Sequence, residues 1–128
     1  MEPKILIIDD DEFFTKVLEN KLKKENFNVS IKNNGEKITE GMIENRPDVL
    51  LLDLILPQKD GFAVLEEIKK SQFKNIPVII FTVLSQESDI EKAVDLGAVD
   101  YLVKTKVSLA GVVERVKKQI NNPKTIIS

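Results

Sequence analysis

The sequence predicts an α/β fold, a parallel sheet covered on both faces by helices, and two observations carry that prediction. Four short segments are apolar and β-branched without alternating polar positions, as strands buried on both faces require. Between them, apolar residues recur at helical spacing, so that strand and helix follow one another five times.

The first strand is Ile5-Leu6-Ile7-Ile8, and the first helix carries Phe14, Val17, Leu18 and Leu22 on one face. Phe27 to Ile31 is less apolar and reads as an edge strand, and Asn34 to Asn45 reads as a helix with a weaker pattern. Val49-Leu50-Leu51-Leu52 is the third strand. Asp60 or Gly61 opens the third helix, which includes Leu65 and Ile68. Val78-Ile79-Ile80-Phe81 leads to a fourth helix marked by Ile90, Ala93 and Val94, capped by Ser85 and closed by Gly97. Tyr101-Leu102-Val103 completes the sheet. Ser108 caps a fifth helix whose apolar face is Leu109, Val112, Val113, Val116 and Ile120. Residues 1–122 form one domain on this reading, and 123–128 are a C-terminal tail or the start of a linker.

Composition narrows the chemistry. Histidine and cysteine are absent, so no imidazole or thiolate can serve as base, nucleophile or metal ligand. The net charge of −2 gives no reason to expect direct binding to nucleic acid or an anionic membrane. The longest nearly apolar run, Val78 to Leu84, is far shorter than the roughly 20 residues that span a bilayer. The residues after Met1 do not form a secretory signal, so a cytoplasmic location is expected.

The apolar runs stop at informative residues. The first ends at Asp9-Asp10-Asp11-Glu12, the third at Asp53, the fourth at Thr82 and the fifth at Lys104. Ligands of open parallel sheets bind beyond the carboxyl ends of the strands, so these groups are expected on one rim. Clustered carboxylates repel one another unless a cation joins them, and an all-oxygen set favours Mg2+. A cation and a lysine on one rim can cradle a phosphoryl group, and a carboxylate can accept one. Taken singly, each residue is as readily a cap, a turn residue or a solvated lysine; the combination carries the specificity.

These motifs resemble the receiver domain of bacterial response regulators, the CheY-like family, from about Lys4 to Ile120. The first strand with its acidic pair, Leu51 to Pro57 with Asp60-Gly61-Phe62, Phe81-Thr82, and Gly97 to Lys104 carry the resemblance. It implies a doubly wound (βα)5 fold, flavodoxin-like, with strand order 2-1-3-4-5. It also implies that Asp53 accepts a phosphoryl group from a histidine kinase or phosphotransfer protein, and that the domain is a switch rather than a turnover enzyme. Asp9, Asp10, Asp53 and the backbone carbonyl of Ile55 would bind Mg2+. Lys104 and Thr82 would engage phosphoryl oxygens, Tyr101 would turn inward as Thr82 moves, and Asp11 would be a supporting or cap residue. The fourth helix, fifth strand and fifth helix would form the readable surface, in a monomer or a phosphorylation-dependent dimer.

The sequence departs from the family in three places. Thr105 follows Lys104 where a cis proline is common, and a cis bond without proline costs about 2.5–4 kcal/mol. Val83 follows Thr82 where a smaller residue is common. Ile55 and Leu84 are apolar where polar side chains can orient a water, so slow self-dephosphorylation is expected. The adjacent Phe13 and Phe14 diverge on the helix and leave two readings: one is exposed beside the acids as an anchor for a kinase helix, or both pack under neighbouring loops. The competing reading is an adaptor that keeps the fold and acts without phosphorylation. A phosphohydrolase lacks an acid at Ile55 and a cap domain, and a flavin-binding fold lacks its phosphate loop.

Overall fold

The computed structural model describes residues 2–123, 125 and 126. Its elements run β1 (Lys4–Ile8), α1 (Glu12–Lys24), β2 (Asn28–Lys32), α2 (Ile38–Glu44), β3 (Val49–Leu52), α3 (Gly61–Lys69), β4 (Val78–Thr82), α4 (Glu87–Asp95), β5 (Asp100–Val103) and α5 (Leu109–Asn121). The five strands are all parallel, in the order β2-β1-β3-β4-β5. The flavodoxin-like, CheY-like architecture expected from the sequence is therefore present.

The missing alternation has a direct cause. Successive strand residues point to opposite faces, and here both faces are core. Leu6, Ile8, Leu50, Leu52, Val78 and Ile80 pack with residues of α2, α3 and α4. Ile5, Ile7, Val49, Leu51, Ile79 and Phe81 pack with residues of α1 and α5. Three of the helices start at side-chain caps. Asp11, Asp60 and Ser108 each accept a hydrogen bond from the backbone N–H three residues on, at 3.0, 2.9 and 3.0 Å, which satisfies one orphan donor of α1, α3 and α5.

Three sequence expectations need correction. The second helix does not fill Asn34 to Asn45 but begins at Ile38. Asn34 Oδ1 accepts from the Glu36 N–H in a local turn, and Lys37 is left-handed at φ 54° with no side-chain cap. Gln86, not Ser85, is the N-cap of α4, again without a side-chain bond. The edge strand starts one residue later than expected, at Asn28, because the Phe27 N–H is bonded to the Leu22 carbonyl at the end of α1, and pairing toward β1 begins with the Asn28 N–H on the Pro3 carbonyl. Gly97 does close α4, at φ 98° with its N–H on the Val94 carbonyl. Part of the 123–128 tail lies outside the described residues; within it, the Ile126 N–H bonds to the Val99 carbonyl. Among the described residues, no helix is long and apolar enough to cross a membrane.

Candidate functional site

Parallel strands of similar register deliver their last residues to one edge of the sheet. Ile8 pairs with Leu52, so Asp9 and Asp53 leave β1 and β3 side by side, and the Asp53 N–H bonds to the Ile8 carbonyl at 2.9 Å. Thr82 pairs with Val103, and the Lys104 N–H bonds to the Thr82 carbonyl at 2.8 Å. The lysine stem then turns back across the edge. Its Nζ donates to Asp9 Oδ2 at 2.6 Å and Asp53 Oδ2 at 3.1 Å.

Asp10 joins them, exposed where Asp9 and Asp53 are buried. One carboxylate oxygen from each of the three lies within 4.8 Å of the others, an arrangement that could hold a metal ion. Three carboxylates face one ammonium, and the excess of negative oxygen suits a hard divalent cation. Burial pushes the Asp9 carboxyl above the usual carboxylate range, and the charge of Asp53 adds to it. The Lys104 hydrogen bond and the Asp11 N–H pull the other way without cancelling the rise. Burial alone would lower the Lys104 ammonium, but its bonds and charge pairing with Asp9 and Asp53 outweigh burial and raise it, so the lysine is firmly cationic.

Thr82 and Tyr101 lie beside this group rather than in it. Thr82 is fully buried at the end of β4, and its Oγ1 lies 3.4 Å from the Leu84 N–H. Tyr101 is partly buried against the core, and its hydroxyl donates to the Leu84 carbonyl at 2.8 Å. Both switch candidates thus hold the same residue of the β4–α4 loop. Burial, then the charges of Asp89 and Asp53, push the Tyr101 hydroxyl from 10.0 up to about 12. The Ile55 N–H donates to Asp53 Oδ1 at 3.1 Å, which ties the loop after β3 to the central carboxylate. No peptide bond among the described residues is cis, so Lys104–Thr105 is trans.

Of the paired phenylalanines, Phe13 is the exposed one, at 81%. Phe14 turns inward, its ring 5.4 Å from that of Phe81, with Lys104 Nζ 5.1 Å from the Phe14 ring and 5.7 Å from the Phe81 ring. Phe14 is therefore not the free anchor. Sequence reasoning also passed over what Gly61 does. A Cβ there would sit 2.2 Å from the Asp53 carbonyl oxygen and 2.5 Å from Leu54 Cα, so α3 begins against the backbone of the central aspartate. A glycine directly after the N-cap Asp60, eight residues past Asp53, was the available signal.

Comparison with known proteins decides what this arrangement belongs to. A family model described as the response regulator receiver domain matches residues 5–120. The chain belongs to that family. It is 39% identical over 104 residues to the transcriptional regulatory protein KdpE of Staphylococcus aureus, an alignment covering 81% of this chain. The chain spans 44% of the length of that relative. Among solved structures it is similar to a response regulator from Chloroflexus aurantiacus, with TM-score 0.88 and 28% identity, over 95% of this chain and 100% of that one. It is also similar to the BeF3-activated receiver domain of Klebsiella pneumoniae RstA, with TM-score 0.86 and 25% identity, over 93% and 99% of the two chains. The chain is thus a receiver domain of two-component signalling, and a phosphoryl-accepting switch is the general role of such a domain.

Proposed function

We propose that this receiver accepts its phosphoryl group on Asp53 from a phosphohistidine of a histidine kinase or phosphotransfer protein. The observation that supports this best is the buried Asp53 carboxylate, bonded to Lys104 and grouped with Asp9 and Asp10 at the ends of neighbouring strands. The donor histidine is external, since this chain has none. An Asp53 oxygen forms the new P–O bond as the P–N bond to the donor imidazole breaks. The bonding pair stays on nitrogen, which takes a proton from solvent. Asp9, Asp10, Asp53 and the Ile55 backbone carbonyl would hold Mg2+, which would supply positive charge against the phosphoryl oxygens. Lys104 pairs with one of those oxygens, and the Thr82 hydroxyl donates to another, leaving the Leu84 N–H. Tyr101 follows through its bond to Leu84, and the altered face is that of α4, β5 and α5. The domain holds the group rather than turning it over, so it is a switch and not a turnover enzyme.

A protein donor suits the surroundings of the acids. Phe13 at 81%, Val83 at 50% and Ile55 at 49% are three of the four exposed large hydrophobic residues among those described; Val83 and Ile55 follow the ends of β4 and β3, and Phe13 stands in the first turn of α1, three residues after Asp10. Exposed apolar side chains at the end of the sheet that carries the acids are what a docking partner buries.

The test is intact mass after incubation with Mg2+ and a small phosphodonor. One phosphoryl group is expected, absent in Asp53→Asn and without Mg2+. Labelling that persists in Asp53→Asn would remove Asp53 as acceptor.

A further inference from the structure

We infer that Phe14 and Phe81 form an aromatic shelf that positions the Lys104 ammonium over the acceptor, which makes Phe14 a positioning residue for phosphoryl transfer. This rests on the role given to Lys104 above. A lysine stem is flexible, and its ammonium is placed only by what surrounds it. On one side are the oxygens of Asp9 and Asp53, at 2.6 and 3.1 Å. The faces of two rings lie 5.1 and 5.7 Å away, within the roughly 6 Å over which an aromatic quadrupole attracts a cation.

The two sets of contacts respond differently to chemistry. Transfer puts a phosphoryl group on Asp53, so the Asp53 contact must be exchanged for one to the new group. The rings stay as they are, and hold the ammonium on the edge while its partner changes. Phe14 is itself fixed to the acids. Its N–H bonds to Asp11 Oδ1 at 3.0 Å, the Asp11 N–H bonds to Asp9 Oδ1 at 3.0 Å, and Asp9 Oδ2 accepts from Lys104. The contacts close a circuit that begins and ends at the lysine. If Phe14 only filled space beneath α1, leucine would serve as well; the shelf needs a ring.

The experiment compares the parent chain with Phe14→Leu and Phe14→Tyr, with Lys104→Ala identifying the Lys104 signals. Proton magnetic resonance follows the Lys104 ε-methylene group, which ring currents displace from its ordinary position. Melting temperature and the rate of Asp53 labelling by acetyl phosphate with Mg2+ are recorded alongside. In Phe14→Leu the displacement should shrink and labelling should slow roughly three- to tenfold. Phe14→Tyr should restore both. Parent Lys104 signals at ordinary positions would overturn the shelf, even if the leucine variant failed to fold. So would a folded Phe14→Leu protein that labels at the parent rate. A Lys104→Ala protein that labels as fast as the parent would instead remove the role given to Lys104, whatever the ring displacement shows.

Discussion

β5 has a partly buried ion pair near each of its ends, and the two are built on different terms. At its start, Arg115 Nη1 of α5 donates to both oxygens of Asp100 at 2.6 Å, and Asp100 Oδ1 also accepts from the Tyr101 N–H. One cation meets one carboxylate, so the pair is balanced and its bonds join α5 to the sheet. Just past its end, Lys104 meets Asp9 and Asp53 with Asp10 nearby, and negative charge is left over. A balanced buried pair asks for nothing more. An unbalanced one leaves negative charge that a cation could neutralise, which is the condition of a site rather than of an anchor.

Breaking the anchor should have the largest effect on stability. Arg115→Ala leaves Asp100 buried without its cation. Because Arg115 is 35% exposed, water softens the loss, and about 2–3 kcal/mol is expected in urea unfolding rather than the full cost of a sealed pair. The folded fraction should still be labelled on Asp53; a loss of labelling at unchanged stability would mean that the Asp100–Arg115 pair belongs to the chemistry. Gly61→Ala acts beside Asp53, at the other end of the sheet. The new Cβ pushes on the Asp53 carbonyl, which should cost about 1–3 kcal/mol and slow labelling together. Stability lost with labelling intact would show that the backbone yields without moving the carboxylate.

A smaller effect concerns how long the phosphoryl group stays. Ile55 and Leu84 offer a water no hydrogen-bond partner from their side chains, so hydrolysis of phospho-Asp53 should be slow. Leu84→Glu or Ile55→Asn should speed its decay about tenfold, equivalent to about 1.4 kcal/mol. Fast decay in the parent, unchanged in both variants, would contradict this. The smallest effect lies between the two pairs, on Tyr101. Its folded pKa is raised, so its contribution to stability is complete below pH 10 and is lost as pH rises through about 12. As the single tyrosine in a chain without tryptophan, it can be titrated by ultraviolet absorbance. A midpoint at its ordinary value would mean that the hydroxyl is neither buried nor close to the charges of Asp89 and Asp53.

What the sequence disclosed follows the same division. Asp9, Asp53, Thr82 and Lys104 stood out because each ends an apolar run, and a parallel sheet brings run ends together without further information. The strands were legible because their residues are apolar on both faces. Contacts made across the fold left no such mark. Asp100 and Arg115 are 15 residues apart, on different elements, and neither interrupts a periodicity. Phe14 and Phe81 read as core residues, since nothing local says that a lysine lies over them. The start of α2 was obscured because Asn34, Gly35 and Glu36 form a turn held by one side-chain bond, with helix-like composition following at once.

On the proposed function, Asp9, Asp10 and Asp53 take up a cation and the Asp100–Arg115 pair does not. The direct measurement is thermal melting with and without Mg2+ of the parent, Asp10→Asn and Asp100→Asn proteins. Mg2+ at a hundredfold excess over its dissociation constant should stabilise the parent by about 2.7 kcal/mol. Asp10→Asn should melt at or above the parent without Mg2+, because it relieves repulsion, and should lose most of the response. Asp100→Asn should melt lower and keep it. A parent indifferent to Mg2+, with Asp10→Asn destabilised in metal-free buffer, would mean that the acids are held together by something other than the need for a cation.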